Sequence, residues 1–552
     1  MHDAAIFLTE GTSNTGPRLF GKDVANAGLI RALVGAQAER PLHFCVADRR
    51  TPDAIAAQFG FDKPTAARVR PIAFDQITQA PGVDVLMHGQ PNIYHFAWQR
   101  RPEHARAFSL CGLIHTLAPP ATQDVIGKVL TTPVQPWDAL VCTSRAVLHT
   151  VRDLLDGWGE FHRARFGGSR VPEIQLPIIP LGVDCARFER TPARFAKGQE
   201  WRKRLRIQDG EVAILWMGRL SFFEKMHPFA TLAAAEMAAK RTSRKLHVIF
   251  AGWFPHEAHE AQYRQLATAF APSVTVHFVD GNNPDVQSGI WYAADVFTSL
   301  VDNVQETFGL APVEAMAAGL PSVVSDWDGY RDTVTEGEAG FRIRTIMPPP
   351  GSGFELARTH TAQHMSYQNY VGAVAQGTAV DIEAAAAAFA TLAEDAELRR
   401  RFGAAARARA LQVFDWPVVA RQYRALWADL AAVRARAPEV AHPGYPLMRD
   451  PYALFANFAS ESLGSDSVLA LADESAPRRL AAVRAVDINT FARYWQFDAA
   501  GMQALLDRVA VAGTVTVGQL EALAPNDAQR LHRSLGWLLK MGLLRLASGT
   551  AA

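Results

Sequence analysis

The stretch ETFGLAPVE, residues 306–314, has a carboxylate at each end and a glycine turn near its middle. The residues after the turn have the pattern of a short helix, which leaves the backbone N–H groups of Phe308, Gly309 and Leu310 without helical partners. The positive end of the helix dipole favours an anion, such as a diphosphate, beside these groups. We therefore predict a helix whose first turn is suited to anion binding.

The residues that follow indicate where this helix ends. Pro312 fits the first helical turn, because its missing N–H costs nothing there. Gly319 is a candidate for the C′ position, and Pro321 prevents the helix from continuing. The apolar run over residues 322–325 then predicts a strand.

Short apolar runs alternate with longer helical patterns over most of the chain. The predicted strands cover residues 5–8, 43–47, 83–87, 108–114 and 139–142, and then 212–217, 246–251, 274–279, 296–300 and 322–325. Near-continuous apolar strands separated by helices indicate an α/β protein with parallel sheets that are covered on both faces. Ligands of such sheets bind beyond the carboxyl ends of the strands, so the loops after strands are the candidate binding elements.

Two cations follow one of these strands. Arg219 comes directly after the predicted strand 212–217 and Gly218, and Lys225 lies in the loop before the next helix. An Arg guanidinium can bind a phosphate bidentately and a Lys ammonium acts as a point charge, so together they can offset the charge of a diphosphate. A solvated surface pair is the alternative interpretation.

The stretch 306–314 resembles the E-x7-E motif of the retaining glycosyltransferases of the GT-B fold, family 4. The resemblance extends through residues 299–305 and 326–334, and more loosely over residues 1–433. It implies two Rossmann-like, doubly wound domains that face a cleft, followed by a segment that crosses back. The implied boundaries are 1–190 for an acceptor-side domain, 195–415 for a domain that binds a nucleotide sugar, and 416–433 for a helix that returns to the first domain.

The resemblance also implies roles for single residues. Glu314 would bind the ribose hydroxyls, and Glu306 with the amides of residues 308–310 would bind the donor sugar and phosphates. Arg219 and Lys225 would bind the diphosphate. Taken alone, Glu314 is better explained as a structural carboxylate that complements the helix dipole by about 0.3–1 kcal/mol, and it is the combination with Glu306, the glycine turn and the helix end that favours a ligand.

In the first domain, His115 follows a predicted strand, and the family often has a catalytic-site histidine there that donates to a sugar hydroxyl or positions the acceptor. Gly16 best matches the family's glycine loop on the donor side. Packed or surface histidines and ordinary turn glycines are the alternatives. The polar loop 88–92 is a further candidate for the acceptor side.

Composition restricts the other function classes. The chain has 552 residues and a formal net charge of +1, which gives no electrostatic sign of nucleic-acid binding. The four cysteines have no C-x-x-C spacing, so we expect buried thiols. Asp326 and Asp328 could hold a metal in principle, but the cations and amides already supply positive charge, so we expect no metal and no cofactor. The absence of a signal-like start and of a long apolar segment leads us to expect a cytoplasmic protein.

Two segments depart from the family pattern. Residues 348–378 have the character of an insertion that borders the acceptor site or decorates the surface. Residues 434–480 are predicted to be a linker, and residues 481–552 a small helical or winged-helix-like domain for dimerisation or a protein partner. Six Lys or Arg against five Asp or Glu over residues 486–552 argue against DNA binding.

These observations predict transfer of a sugar from a nucleotide diphosphate sugar to a hydroxyl, with retention of configuration as the resemblance implies. The acceptor would be a glycan, a lipid-linked glycan or a small molecule, as in polysaccharide biosynthesis, with transient membrane contact left open. A nucleotide-sugar epimerase or hydrolase of the same fold, and a binding module without turnover, are the alternatives. Donor sugar, base and acceptor depend on pocket shape, which the sequence does not specify.

Overall fold

A computed structural model describes residues 3–8, 21–36, 39–46, 50–100, 105–168, 170–439 and 449–547. The chain divides into two compact units, Met1–Gly444 and Tyr445–Ala552. The first unit contains two six-stranded parallel sheets, and the second contains a small antiparallel sheet.

The first six-stranded sheet occupies the N-terminal part of the first unit. Its strands are β1 Asp3–Leu8, β2 Leu42–Val46, β3 Val69–Ile72, β4 Val83–His88, β5 Ser109–Leu113 and β6 Ala139–Val141. Its helices are α1 Gly21–Gly35, α2 Pro52–Phe59, α3 Lys63–Ala66, α4 Tyr94–Gln99, α5 Pro120–Gly127 and α6 Arg145–Phe166. Buried apolar clusters lie against both faces of the sheet, as expected for parallel strands.

The second six-stranded sheet follows in the same unit. Its strands are β7 Val212–Arg219, β8 Leu246–Trp253, β9 Thr275–Asp280, β10 Val296–Ser299, β11 Ser322–Ser325 and β12 Gly340–Ile343. The accompanying helices are α7 Pro192–Arg204, α8 Pro228–Ala239, α9 Glu257–Phe270, α10 Pro284–Ala293, α11 Leu310–Ala318 and α12 Tyr330–Thr333. The predicted fold of two doubly wound domains is therefore confirmed.

Both sheets have the same strand order, β3-β2-β1-β4-β5-β6 in the first and β12-β11-β10-β7-β8-β9 in the second. The strands are parallel, but successive strands are added on one side of β1 and then on the other side from β4, and likewise on opposite sides of the boundary between β7 and β10. Loops on either side of such a boundary separate and leave a crevice at the carboxyl ends of the strands. The topology therefore singles out the loops after β7 and β10 as a binding crevice.

A short inserted region follows the second sheet. Two short strands, β13 Thr345–Ile346 and β14 Ala379–Val380, pair antiparallel and close its base. Between them lie α13 Phe354–Thr361 and α14 Tyr367–Gln376. The segment predicted as an insertion, residues 348–378, thus forms a helical pair on a two-stranded stem.

The last helices of the first unit return the chain to the first sheet. They are α15 Ile382–Glu394, α16 Ala396–Arg409 and α17 Trp416–Arg436, with a π-helical turn at Ala410–Phe414. Near the end of α17, Arg434 donates to the carbonyl of Asp84 at 2.7 Å and to the hydroxyl of Ser109 at 2.8 Å. These bonds attach α17 to β4 and β5.

The C-terminal unit combines short helices with a three-stranded antiparallel sheet of order β16-β15-β17. Its elements are α18 Pro451–Leu454, β15 Val468–Leu471, α19 Ala476–Arg484, α20 Ala499–Ala512, β16 Thr514–Thr516, α21 Val517–Glu521, α22 Ala528–Lys540 and β17 Leu544–Leu546. The prediction of a linker over 434–480 is wrong in its second half, because β15 is the central strand of this sheet and Leu469 is fully buried.

All four cysteines are free and buried, and burial raises the pKa of each thiol to about 12. Among the described residues, none of the helices combines the length and the apolar character needed to cross a bilayer.

Candidate active site

The loops after β7 and β10 are bound to each other. The amide of Asn303 donates to the carbonyl of Phe223, and the His227 N–H lies 3.4 Å from both carboxylate oxygens of Asp302. Burial raises the pKa of the Asp302 carboxyl to about 7. These contacts fix the loop that carries Lys225 against the loop that carries Glu306.

The turn before α11 is held by close packing. Gly309 has a φ of +85°, a conformation that favours glycine, and a Cβ placed there would lie 2.0 Å from Cε1 of Tyr330. The Tyr330 ring is buried, and its hydroxyl is 2.9 Å from the hydroxyl of Ser299. Phe308 is also buried and packs edge-on against Phe414.

Helix α11 begins at Leu310 and ends at Gly319, whose φ of +79° forms a left-handed cap. The predicted helix and its glycine end are confirmed. Within the described residues, the N–H groups of Phe308, Gly309 and Leu310 have no hydrogen-bond acceptor. Three amides at a helix start can therefore bind an anion without breaking an internal bond.

The two predicted cations each contact a carboxylate. The Nζ of Lys225 lies 3.4 Å from Oε2 of Glu306, and an Nη of Arg219 lies 2.6 Å from Oε2 of Glu224. The Arg219 guanidinium also lies 6.0 Å from the centre of the Trp253 ring. The structure therefore brings Lys225 and Glu306 together, and it gives Arg219 a partner, Glu224, that sequence reasoning did not identify.

Glu314 lies on α11, about one helical turn beyond the turn at Gly309. Burial raises the pKa of its carboxyl to about 7, and the nearby charge of Arg187 opposes part of that rise. Arg187 belongs to a 3₁₀ turn, Cys185–Phe188, that packs against α11. The environment of Glu314 thus differs from that of Glu306.

His115 follows β5 and is held by Asn26 of α1. Its Nε2 lies 2.9 Å from Oδ1 of Asn26, while Nδ2 of Asn26 donates to the carbonyl of Gly89 at 3.2 Å. Burial lowers the pKa of His115 to about 4, so its ring is neutral at pH 7 and has one N–H. Because Oδ1 of Asn26 can only accept, this contact favours the tautomer with the N–H on Nε2, and the carbonyl of Gly89 is a second acceptor beside the ring.

The loop of Glu306 contacts the first sheet directly. The Thr307 hydroxyl donates to the backbone carbonyl of His115 at 2.6 Å, and the Ser144 hydroxyl donates to the carbonyl of Thr307 at 3.0 Å. Arg145, the first residue of α6, binds Asp332 through its Nε at 2.6 Å. Thr307 therefore connects the candidate donor loop to the position of His115.

Asp328 lies close to this cluster. Burial raises the pKa of its carboxyl well above the usual range, and the charge of Glu306 raises it further. Its φ is +44°, in the turn predicted at Asp328 and Gly329. Asp326 instead lies 3.5 Å from Arg331 and 3.6 Å from Arg342, so the two carboxylates of the D-x-D pattern have different partners.

The insertion reaches the same crevice through Tyr367, at the start of α14. Its buried hydroxyl faces Thr116, next to His115, and the charges of Glu224 and Arg219 act on it. Burial raises the pKa of Tyr367 to about 12. Nothing in the sequence selects Tyr367 within residues 348–378, because its position depends on how the stem folds.

Gly16 and His88 are the other two predicted positions. Gly16 lies outside the described residues. His88 is buried, its Nε2 is 2.7 Å from Oδ1 of Asn92, and burial lowers its pKa to about 4. The residues that sequence reasoning missed include Asn26, Glu224 and Thr307. Thr307 could have been found as the polar residue between Glu306 and the glycine turn.

Comparison with known proteins identifies relatives of this region. Residues 197–345 match the family model described as "Glycosyl transferases group 1". The D-inositol 3-phosphate glycosyltransferase of Corynebacterium efficiens is 28% identical over 170 residues, which are 31% of this chain and 39% of that protein. The alpha-monoglucosyldiacylglycerol synthase of Streptococcus pneumoniae is 28% identical over 187 residues, 34% of this chain and 37% of that protein.

The chain spans about two fifths of the length of these two relatives. Among solved structures, Anabaena Alr3699/HepE in complex with UDP is similar over 78% of this chain and 100% of its own, with a TM-score of 0.49 and 15% sequence identity. The group 1 glycosyltransferase model thus matches the part of the chain that carries Arg219, Lys225, Glu306 and Glu314.

Proposed function

We propose that this protein is a glycosyltransferase that moves a sugar from a nucleotide diphosphate sugar to a hydroxyl acceptor with retention of configuration. The observation that carries the proposal is the crevice at the carboxyl ends of β7 and β10. Arg219 ends β7 and Lys225 lies in the loop after it, while the unpaired amides of residues 308–310 lie at the start of α11, in the loop after β10. Positive charge from separate loops at one crevice suits a departing diphosphate.

The reaction transfers one glycosyl group. The bond between the anomeric carbon and the phosphate oxygen breaks, and the acceptor oxygen bonds to that carbon on the same face of the sugar. The departing phosphate oxygen takes the acceptor proton, so no separate base is needed. Arg219, Lys225 and the amides of residues 308–310 stabilise the charge that develops on the diphosphate.

Glu306 and Glu314 bind hydroxyl groups in this scheme. A carboxylate beside phosphates is repelled by them, so Glu306 accepts hydrogen bonds from the donor sugar while Lys225 stands between it and the diphosphate. Glu314 accepts from the ribose. His115 accepts through Nδ1 from a sugar or acceptor hydroxyl, because Asn26 already receives its N–H.

The test begins with a thermal-shift screen of UDP-, GDP- and ADP-sugars, followed by assays of nucleoside diphosphate release with and without candidate hydroxyl acceptors. Lys225→Ala and Arg219→Ala should weaken donor binding by about 10- to 100-fold, as expected for loss of a hydrogen bond from a charged group. Glu306→Gln should lower turnover while nucleoside diphosphate binding is kept.

Lys240→Ala is the matched control, because Lys240 directly follows α8 of the same domain and pairs with Glu236 at 3.1 Å. It should leave donor binding unchanged. Equal release with water alone would indicate a hydrolase, and donor binding without any release would indicate a binding module. Unaltered kinetics in Lys225→Ala, Arg219→Ala and Glu306→Gln would refute the site.

A further inference from the structure

Residues 486–495 of the C-terminal unit, called here the aromatic loop, expose large apolar side chains. The loop joins α19 to α20 through two 3₁₀ turns, Asp487–Thr490 and Arg493–Trp495. The exposed fractions are 84% for Ile488, 91% for Phe491, 76% for Tyr494 and 67% for Trp495. Single exposed apolar residues are common, but a group of four within eight positions indicates an interaction surface.

The backbone of the aromatic loop is fixed although its side chains are exposed. The indole N–H of Trp537 donates to the carbonyl of Asn489 at 2.7 Å, and Arg533 donates through Nε to the carbonyl of Trp495 at 2.8 Å. The Asn489 amide in turn donates to the carbonyl of Val483 at 2.8 Å. The loop is therefore preorganised by α22, and the apolar side chains are presented outward from a fixed support.

Cations surround the aromatic loop. Arg493 is exposed within it, and Arg530 and Arg533 of α22 bond to the carbonyls of Gln496 and Trp495. Asp487 lies within the loop, and Asp498 follows it as the N-cap of α20. The three arginines against these two aspartates leave a net positive charge near the exposed aromatic side chains, which complements an anionic surface.

The shape of this surface favours a bilayer over a folded partner. A stable protein interface uses about 20–30 residues on each side, with a flat, closely packed core. The aromatic loop offers a few side chains that protrude. Tyr and Trp combine an apolar ring with a polar tip and settle at the boundary between lipid headgroups and acyl chains, where Arg can contact the phosphates.

We infer that the aromatic loop docks the protein onto anionic phospholipid bilayers by inserting Ile488, Phe491, Tyr494 and Trp495 at the headgroup boundary, with Arg493 against the lipid phosphates. This inference concerns the C-terminal unit and does not depend on the chemistry proposed for the first unit. The partner of the aromatic loop is thus a lipid surface. Binding of a second copy of the chain, or of another protein, is the alternative that the experiment must exclude.

The experiment sediments the full-length protein with vesicles of phosphatidylcholine alone and of phosphatidylcholine mixed with phosphatidylglycerol. The wild type should bind the mixed vesicles, and added salt should weaken that binding because the cations contribute. Phe491→Ser combined with Trp495→Ser should reduce the partition coefficient at least tenfold. Arg493→Glu should reduce binding to the mixed vesicles and leave the weak binding to phosphatidylcholine unchanged.

Val511→Ser is the matched control, since Val511 of α20 is 87% exposed and lies outside the loop. It should bind as the wild type does. A second double variant, Ile488→Ser with Tyr494→Ser, should show the same loss of vesicle binding. Circular dichroism of each protein checks that the loss does not come from misfolding. Failure of the wild type to sediment, or unchanged binding of both double variants, overturns the inference. A dimer in light scattering that the loop variants dissociate, without vesicle binding, also overturns it.

Discussion

Replacing Gly309 by Ala tests whether the turn before α11 binds the ligand. The new Cβ would lie 2.0 Å from Cε1 of Tyr330, and ordinary contact begins at 3.4 Å, so the gap must open by about 1.4 Å. Tyr330 is buried and bonded to Ser299, so the turn is the part that must move. A shift of this size takes the amides of residues 308–310 out of hydrogen-bond range of a bound anion.

The energetic cost has two parts. The φ of +85° at Gly309 costs a non-glycine residue about 1–2 kcal/mol, and crowding against Tyr330 adds about 1–3 kcal/mol. Gly337 provides the control, because its φ is +71° and a Cβ there meets nothing within 4 Å. Gly337→Ala should therefore lose only the free energy that the backbone conformation costs. The difference in unfolding free energy between the two variants then measures the cost of crowding against Tyr330.

The assay compares thermal unfolding and calorimetric binding of UDP, GDP and ADP for the wild type and both variants. Gly309→Ala should unfold at a lower temperature than Gly337→Ala. It should also bind the preferred nucleoside diphosphate at least tenfold more weakly, because a hydrogen bond to a charged group contributes about 1.5–3 kcal/mol. If Gly309→Ala binds as tightly as Gly337→Ala, the amides of this turn do not hold the diphosphate.

Three further predictions concern other parts of the first unit. The pKa of Glu314 is about 7, so its carboxylate becomes protonated as the pH falls from 8 to 6 and accepts hydrogen bonds from the ribose less well. Titrations with the nucleotide sugar should therefore show weaker binding at pH 6 for the wild type, and no such pH dependence for Glu314→Gln. Tyr367→Phe should raise the KM for the acceptor and leave donor binding unchanged, whereas equal effects on both would contradict an acceptor-side position. Asp138→Asn should lower stability by about 3–5 kcal/mol, because Asp138 and Arg100 are a fully buried pair, while Lys128→Ala, which breaks an exposed pair, should change the unfolding temperature little.

The pH prediction for Glu314 has a counterpart in stability. A buried carboxyl whose pKa is raised binds its proton more tightly in the folded state than in the unfolded state. Its contribution therefore favours folding at low pH and is lost as pH rises from about 4.5 towards 7. Glu314→Gln should gain stability relative to the wild type over that range, and thermal unfolding at several pH values measures the difference.

The central strands could be predicted from sequence because they are nearly continuous apolar runs. The edge strands β3 and β12 were missed. Strand β3 has the sequence VRPI, with an arginine and a proline that fit only an edge position, and β12 has the sequence GFRI. Such strands are identified by their neighbours in the sheet, β2 and β11, rather than by their own composition.

Short strands were also missed in the C-terminal unit. Strand β15 pairs with β16 and β17, which lie more than forty residues later in the chain. The four residues VLAL of β15 give no periodic signal of their own after a proline-rich segment, so the pattern indicated a linker. Non-local pairing of short strands is the property that local sequence patterns do not encode.

The position of the candidate site could be predicted from the sequence, whereas the hydrogen bonds and ion pairs within it could not. Arg219 ends β7, and Lys225 and Glu306 lie in the loops after β7 and β10, which are neighbours in the sheet. The α/β pattern alone predicts that ligands bind at the carboxyl ends of such strands. The partners Glu224 and Asn26 depend on how the loops and α1 pack. The donor tautomer of His115 likewise follows from Asn26 and could not be read from the sequence.

The pairing has a consequence for how a diphosphate enters. Lys225 and Arg219 are each bonded to a carboxylate, so neither cation is a buried, uncompensated charge. A diphosphate therefore competes with Glu306 and Glu224 for the cations. Under the proposed function, a diphosphate that binds Lys225 would weaken its 3.4 Å contact with Glu306 and leave that carboxylate available to the hydroxyls of the donor sugar. In the proposed scheme the same ion pair would hold the two loops together before binding and would supply the carboxylate for the donor sugar afterwards, and this double use would account for a lysine and a glutamate lying side by side in the crevice.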